Sequence, residues 1–569
     1  MLRGIQEEIE KLLKQAGVDN PAAFSVPPKP EMGDVAFACF NIAKVAGKKP
    51  NEVATELASK ISSVLKPDST VEKVAAFGPY VNFFLNSSQV ANFVIKSVIK
   101  NTDDFGSTEI GKGKKVMIEY PSNNTHKEFH IGHFRNVCIG NTLVKLYEKT
   151  GVKVYPVNYL NDFGSHVAKC LWGLKKFHGD EKAPANKQKW LGEIYAEASH
   201  YLKDHQECEV EVQEIQKQLE ANDKKIWPLF IKTRKWSIDK FDELFEELGV
   251  KHMAVFYEKD IKAMGQARVD ELLKKGIAKV GEGGAIIVDL SEYNLDIALL
   301  RKSNGVGLYL TSDIPLAEQK FSKYPVDESI VITGEEQKFY FKQLYKILEL
   351  IGFKQKLTHL SYGLVNLPEG KMSSRSGNVI LYESLRDQIF DLIVEETKQR
   401  HADWAKKKII ATSNILTQAA LKFDMQKHEA VKNTVFDLKE ATSFEGFSGP
   451  YILYTIARIN SLEAKAKKEK ISAGKEFGAL VAPEEKALVL MMGEVETVIE
   501  KALENYNPSA IARYVFELAQ AYNNFYNKHK VVGAESKELS SARLVLSQAV
   551  RQVLKNMLAI LTIETVEEM

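Results

Sequence analysis

Residues 115–157 read KVMIEYPSNNTHKEFHIGHFRNVCIGNTLVKLYEKTGVKVYPV. The stretch opens on an apolar strand, Lys115 to Tyr120, and passes through a polar loop. After His133 it carries Val137, Leu143, Val144 and Tyr147 at helical spacing until Gly151 stops the helix. Val152 to Val157 is then a second strand. Strand, loop, helix, strand predicts a parallel sheet, because parallel neighbours need a crossover of about a dozen residues or more, usually a helix. The loop leaving the first strand is where such a sheet binds ligands. A helix N-terminus placed there offers free N–H groups and the positive dipole end to a phosphate, and Gly132 lets a nucleotide come close. His130 and His133 project from one turn. A metal-binding pair or two surface histidines would have the same spacing, so the pair alone leaves the chemistry open.

Working outward from this unit, residues 1 to about 112 read as an α+β module. It holds a helix, a Pro-rich loop from Pro21 to Pro30, a helix through Val53, Leu57 and Ile61, and a strand-like run from Val81 to Leu85 after the Phe77-Gly78-Pro79 turn. Residues 113–408 form the sheet domain. Between about His166 and Gly281 the chain is charged and helix-periodic, which predicts a helical insertion at about 166–280, with the sheet resuming at Ala285. Residues 409–569 are helix-periodic throughout, with Pro450, Pro483 and Pro508 marking helix starts or breaks. The expected fold class is α/β for the middle domain, flanked by an N-terminal α+β domain and a C-terminal all-helical one.

A chain of 569 residues exceeds a single core, and its 44% hydrophobic and 27% charged residues are those of an ordinary globular protein. Net charge is +2, so a nucleic-acid partner would have to be held by local basic patches. Such patches occur at Lys112, Lys114 and Lys115, at Lys406 to Lys408, and at Lys465, Lys467, Lys468 and Lys470; each by itself also fits a solvated face. Cys39, Cys138, Cys170 and Cys208 are scattered without a Cys-x-x-Cys pair, which argues against a disulfide framework or thiolate zinc site and predicts a cytoplasmic protein. The first helix, with Ile5, Ile9, Leu12 and Leu13 among charges, is amphipathic and unlike a signal peptide, and no apolar run predicts a membrane span.

His130-Ile131-Gly132-His133 resembles the first signature of class I aminoacyl-tRNA synthetases, and Lys371-Met372-Ser373-Ser374-Arg375, in the loop after His359 to Leu367, resembles the second. Further stretches are similar to the arginyl-tRNA synthetase family in particular. They are Asn161-Asp162-Phe163-Gly164, Leu299 to Gly305, Leu308 to Ile314, Thr333 to Gln337, and Phe447 to Tyr454 with Ala457-Arg458-Ile459. At the N-terminus, Met32-Gly33-Asp34 and Phe77 to Asn82 resemble that family's tRNA-elbow domain.

The resemblance implies a Rossmann-type catalytic domain that activates arginine with ATP and Mg²⁺ and transfers it to tRNA(Arg), with no protein-bound metal and a monomeric chain. It implies nucleotide contacts from His130, Gly132, His133, Lys371, Met372 and Ser373. It implies arginine contacts from Asn124, Glu258, Tyr309, Asp313 and Gln337; near Glu258, Met253 stands where the family carries a polar residue. A buried carboxylate suits a guanidinium, whose planar fork can bond both oxygens, better than a lysine ammonium. The implied tRNA contacts are Phe77, Tyr80 and Asn82 at one end and Tyr451, Tyr454 and Arg458 at the other. Tyr522, Phe525 and Tyr526 are further aromatics of the tail that could stack on bases or fill a helical core. Ser374 occupies the place of the class's second loop lysine, and Lys127, three residues before His130, is the candidate to replace that charge. Another class I synthetase, or a catalytically silent tRNA-binding paralogue, would be the competing readings.

Overall fold

The computed structural model describes residues 3–21, 24–67, 69–179, 181–368 and 380–569. Near the N-terminus, the Arg3–Gln15 helix buries Ile5, Ile9, Leu12 and Leu13, the residues that make it amphipathic. An antiparallel sheet of four strands follows, in the order Phe24–Ser25, Val35–Ala38, Tyr80–Leu85, Val71–Phe77. The short first strand lies inside the segment expected to be a Pro-rich loop. Its two residues need only the edge of Val35–Ala38 to pair with, which no local pattern reveals.

The central sheet has five strands, all parallel, ordered Lys356–Tyr362, Glu328–Gly334, Lys115–Glu119, Lys153–Leu160, Ala254–Tyr257. Chain order reverses between Glu328–Gly334 and Lys115–Glu119, so a crevice opens beyond the carboxyl ends of those two neighbours. The sheet resumes earlier than the sequence suggests. Ala254–Tyr257, inside the helical insertion that the sequence predicts at about 166–280, is its edge strand, whereas Lys279–Val280, Ile286–Asp289 and Ile297–Arg301 form a separate antiparallel sheet. The edge strand has four residues and hides between charged helices, too short for periodicity to register. Exposed Met253 leads into it, its N–H donating to the Pro156 carbonyl at 2.7 Å.

Beyond Lys406 the structure is helical apart from Thr434–Val435, which pairs in parallel with Val365–Asn366. Pro450, Pro483 and Pro508 each sit in the first turn of a helix, where a missing N–H costs nothing. The three parts share one core. Arg135, fully buried on the crossover helix Ile131–Lys149, donates to the carbonyls of Gly363 (2.8 Å), Lys432 (3.0 Å) and Glu429 (3.3 Å), tying the nucleotide-side helix to the connection into the helical tail.

Candidate active site

A cavity of about 400 Å³ occupies the crevice at the strand reversal. One wall is the loop leaving Lys115–Glu119, with Asn124, His130 and His133; the opposite wall is the turn leaving Glu328–Gly334, with Thr333, Glu336 and Gln337. Tyr309 and Asp313, from the Tyr309–Lys323 helix, close one end together with Tyr159 and Tyr340.

The histidine pair is built into the helix start. His130 is the N-cap of Ile131–Lys149, and its Nδ1 accepts from the N–H groups of Gly132 (3.1 Å) and His133 (3.3 Å). Nδ1 of His133 in turn accepts from the His130 N–H at 3.3 Å, and the rings stack with centroids 3.7 Å apart. Burial, with a smaller push from Lys127, depresses His130 to about 4; burial holds His133 well below its ordinary value as well, reinforced by His130. Both rings are therefore neutral at working pH, and with both Nδ1 atoms accepting, each carries its proton on Nε2. The cavity thus meets two neutral N–H donors beside a helix N-terminus. A side chain on Gly132 would press to 3.0 Å against the His130 ring and spoil that arrangement.

The signature loop is held from behind by the helical insertion. His126 is buried in the left-handed region (φ 61°), a conformation costly for a residue with a side chain. Its ring nitrogens bond the hydroxyls of Thr125 and Thr233, each at 2.9 Å, and its N–H donates to Ser237 Oγ at 3.0 Å. The Lys127 carbonyl accepts from the Gln188 amide, and its ammonium lies over the Tyr195 ring, 4.8 Å from the centroid. Lys127 does not itself line the cavity.

The acidic end rests on the Asn161-Asp162-Phe163-Gly164 stretch. Asp162, fully buried, pairs with Arg234 and accepts the Lys259 N–H at 3.0 Å, which fixes the start of the Glu258–Lys274 helix. Gly164 takes φ 112°, a backbone conformation that favours glycine, close to the Glu258 carboxylate. Burial pushes Glu258 up to about 8, with Lys262 opposing and Asp162 and Asp313 adding to the rise. Burial pushes Asp313 up to about 6, opposed by a hydrogen bond from the Tyr340 phenol to its Oδ2. Two carboxylates that ionise reluctantly, with no lysine or arginine paired to Asp313 among the described residues, make an end suited to a ligand that brings its own positive charge.

Of the residues singled out from sequence, Asn124, His130, His133, Tyr309, Asp313 and Gln337 line one cavity, and Glu258 stands beside it. Lys371, Met372 and Ser373 lie outside the described residues, as do Ser374 and Arg375. At the N-terminal end, Phe77 and Tyr80 are partly exposed, but Asn82 is only 1% exposed and its amide donates to the Met32 carbonyl at 2.8 Å. As a tRNA contact Asn82 is therefore withdrawn: its side chain braces the Met32-Gly33 turn from inside. In the tail, Tyr522 and Phe525 are core, whereas Arg458 lies 4.8 Å from the ring centre of Tyr454 and 5.1 Å from that of Tyr526, forming a surface cluster. Sequence reading missed Tyr340, Tyr159, Tyr195 and His126. Only Tyr340 left a trace, standing three residues after Gln337.

A family model described as tRNA synthetases class I (R), catalytic domain, matches residues 94–438, placing this fold and crevice among the class I aminoacyl-tRNA synthetases. Models described as Arginyl tRNA synthetase N terminal domain and DALR anticodon binding domain match residues 2–85 and 452–569. Relatives named Arginine–tRNA ligase include one from Clostridium perfringens, 34% identical over 99% of this chain and 97% of its own, and one from Bdellovibrio bacteriovorus, 33% identical over 95% and 93%. The chain belongs to the arginyl-tRNA synthetase family. Its fold is similar to that of the arginyl-tRNA synthetase of Thermus thermophilus, with a TM-score of 0.82 at 22% identity and full coverage of both chains.

Proposed function

We propose that the protein is an arginine–tRNA ligase, which joins L-arginine to ATP as arginyl-adenylate and passes the arginyl group to the 3′ end of tRNA(Arg). The observation that carries this reading is the polarity of one cavity: neutral imidazole donors and a helix N-terminus at the nucleotide side, and at the other the Asp313 carboxylate, with no lysine or arginine paired to it among the described residues and Glu258 beside it. The α-carboxylate of arginine attacks the α-phosphate and the bond to the β-phosphate breaks, releasing pyrophosphate. A terminal ribose hydroxyl then attacks the adenylate carbonyl and AMP leaves.

In this reading His130 and His133 donate Nε2–H to phosphate oxygens as the new negative charge develops, and Gly132 keeps the approach clear. Being neutral, they supply no full charge, so Lys127 and Lys371 are assigned as the cations, and Met372 and Ser373 are assigned to ATP binding with Lys371. Mg²⁺ would come as part of the ATP substrate and would supply charge neutralisation at its phosphates. Asp313 and Glu258 take the guanidinium, while Tyr309, Asn124 and Gln337 orient the rest of arginine. Phe77 and Tyr80, then Tyr451, Tyr454 and Arg458, contact the two ends of tRNA. We also infer that the protein works as a cytoplasmic monomer. Four free, buried cysteines suit a reducing compartment, and one chain carries all three parts.

The test is arginine-dependent exchange of pyrophosphate into ATP, with and without tRNA, followed by charging of tRNA(Arg). Asp313→Ala should raise the arginine KM by about tenfold or more, the worth of one charge-assisted hydrogen bond. Exchange supported by another amino acid and not by arginine would sink the assignment.

A further inference from the structure

The acidic end contains a tyrosine that no sequence signature assigns. Asp313 sits in the second turn of the Tyr309–Lys323 helix, and the facing helix, Lys338–Leu350, sends Tyr340 across so that its phenol donates to Asp313 Oδ2. Both side chains line the cavity. The Tyr340 ring is steadied by an edge contact to Phe341, whose own ring stacks on His359 with centroids 4.4 Å apart. The phenol is therefore aimed by a packed layer.

We propose that Tyr340 is a positioning residue for amino-acid selection: it holds the Asp313 carboxylate by one lone pair of Oδ2 and leaves Oδ1 and the rest of Oδ2 turned to the guanidinium. This rests on Asp313 being the arginine carboxylate, as proposed above, and adds what orients it.

The choice of donor matters. A lysine or arginine partner would neutralise Asp313 before substrate arrived, and a buried carboxylate with no donor would simply take up a proton. A phenol is the intermediate case, a hydrogen bond without a charge. Burial and the neighbouring Asp313 hold the Tyr340 phenol well above its ordinary range, so it remains a donor wherever the enzyme works. Among the described residues, the other titratable groups facing this pair are Tyr159 from the sheet, Tyr309 from Asp313's own helix, Tyr345 from that of Tyr340, and Glu258 from the adjacent helix. None brings a positive charge. The nearest buried cation lining the cavity, Lys320, is paired with Glu119.

The experiment compares wild type, Tyr340→Phe and Asp313→Asn by pyrophosphate exchange with tRNA present, measuring arginine KM and kcat across pH. Tyr340→Phe keeps the ring and its packing. It should raise the arginine KM about tenfold while kcat stays within about threefold, as for loss of a binding group that acts alike in ground and transition states. Without the phenol the carboxyl holds its proton more tightly, so the lower break in KM against pH should move up from about 6 toward neutrality. A wild-type KM and break in Tyr340→Phe, beside lost arginine binding in Asp313→Asn, would overturn the positioning role and leave Asp313 as the arginine carboxylate. A raised KM with an unmoved break would assign the loss to packing and overturn it too. A normal arginine KM in Asp313→Asn would remove both.

Discussion

The ammonium of Lys127 lies over the ring of Tyr195, 4.8 Å from its centroid, so a lysine of the nucleotide loop is steadied by a helix of the insertion. A cation over a tyrosine face gains about 0.5–2 kcal/mol. Lys127→Ala should slow adenylate formation by about a hundredfold or more, with arginine affinity unchanged. Tyr195→Leu should slow it about fivefold, and Tyr195→Phe should act as wild type. Single-turnover adenylate formation reads all three. A Lys127→Ala enzyme of near-normal rate would remove the lysine from the chemistry.

Glu258 and Asp313 predict how arginine binding depends on pH. Both carboxyls are raised, to about 8 and about 6, so the free pocket holds protons that a cationic substrate must displace. Arginine KM should therefore fall as pH rises through this window, by up to about tenfold per pH unit for each proton expelled, and level off above about 8. In Glu258→Gln the upper part of the slope should vanish while the part below about 6 survives. A KM independent of pH from 5.5 to 8.5 would contradict the proton linkage.

The proposed tRNA contacts Tyr454 and Arg458 form one partly exposed cluster with Tyr526. The Arg458 guanidinium donates to Asn523 Oδ1 at 2.6 Å and to the Tyr454 hydroxyl at 3.2 Å and lies over the rings of Tyr454 and Tyr526, with Tyr454 exposed and the other two partly exposed. Arg458→Ala and Tyr454→Ala should each raise the KM for tRNA about tenfold or more, the range for loss of a stacked base or phosphate contact, without changing the arginine KM. Charging kinetics at varied tRNA would show it; equal tRNA KM values in both variants would move the contact elsewhere. Point substitutions are the right probe because Arg135 ties the Ile131–Lys149 helix to the tail, and a truncation would strip it of the Lys432 and Glu429 carbonyls, two of its three acceptors.

A stability prediction follows from Glu485 and Arg543, both nearly fully buried between helices of the tail and joined at 2.7 Å. Glu485 also accepts the Ala482 N–H that starts its helix, at 2.9 Å. Glu485→Ala strands a buried guanidinium and should cost about 3–5 kcal/mol, seen as a lower unfolding midpoint in urea. A midpoint within error of wild type would show that the remaining partners of Arg543, the Lys530 carbonyl at 2.8 Å, His529 Nδ1 at 3.4 Å and the Glu535 carboxylate at 3.6 Å, suffice.

What the sequence alone determined is what local geometry dictates. His130 and His133 fall on one turn because helical neighbours lie three residues apart, and the strand–loop–helix–strand period of residues 115–157 has few other folds open to it. Pro450, Pro483 and Pro508 marked helix starts because proline is best tolerated in a helix's first turn, although Pro315 sits inside the Tyr309–Lys323 helix. Tertiary structure decided the rest. Ala254–Tyr257 is a strand only because the edge of Lys153–Leu160 is beside it, and Asn82 is a brace instead of a surface contact because Met32 folds over it. Tyr340 meets Asp313 and Tyr195 meets Lys127 across gaps in the chain that no period spans. Such pairs depend on how helices dock against one another, which is set by the summed packing of many side chains and is written in no short stretch of residues.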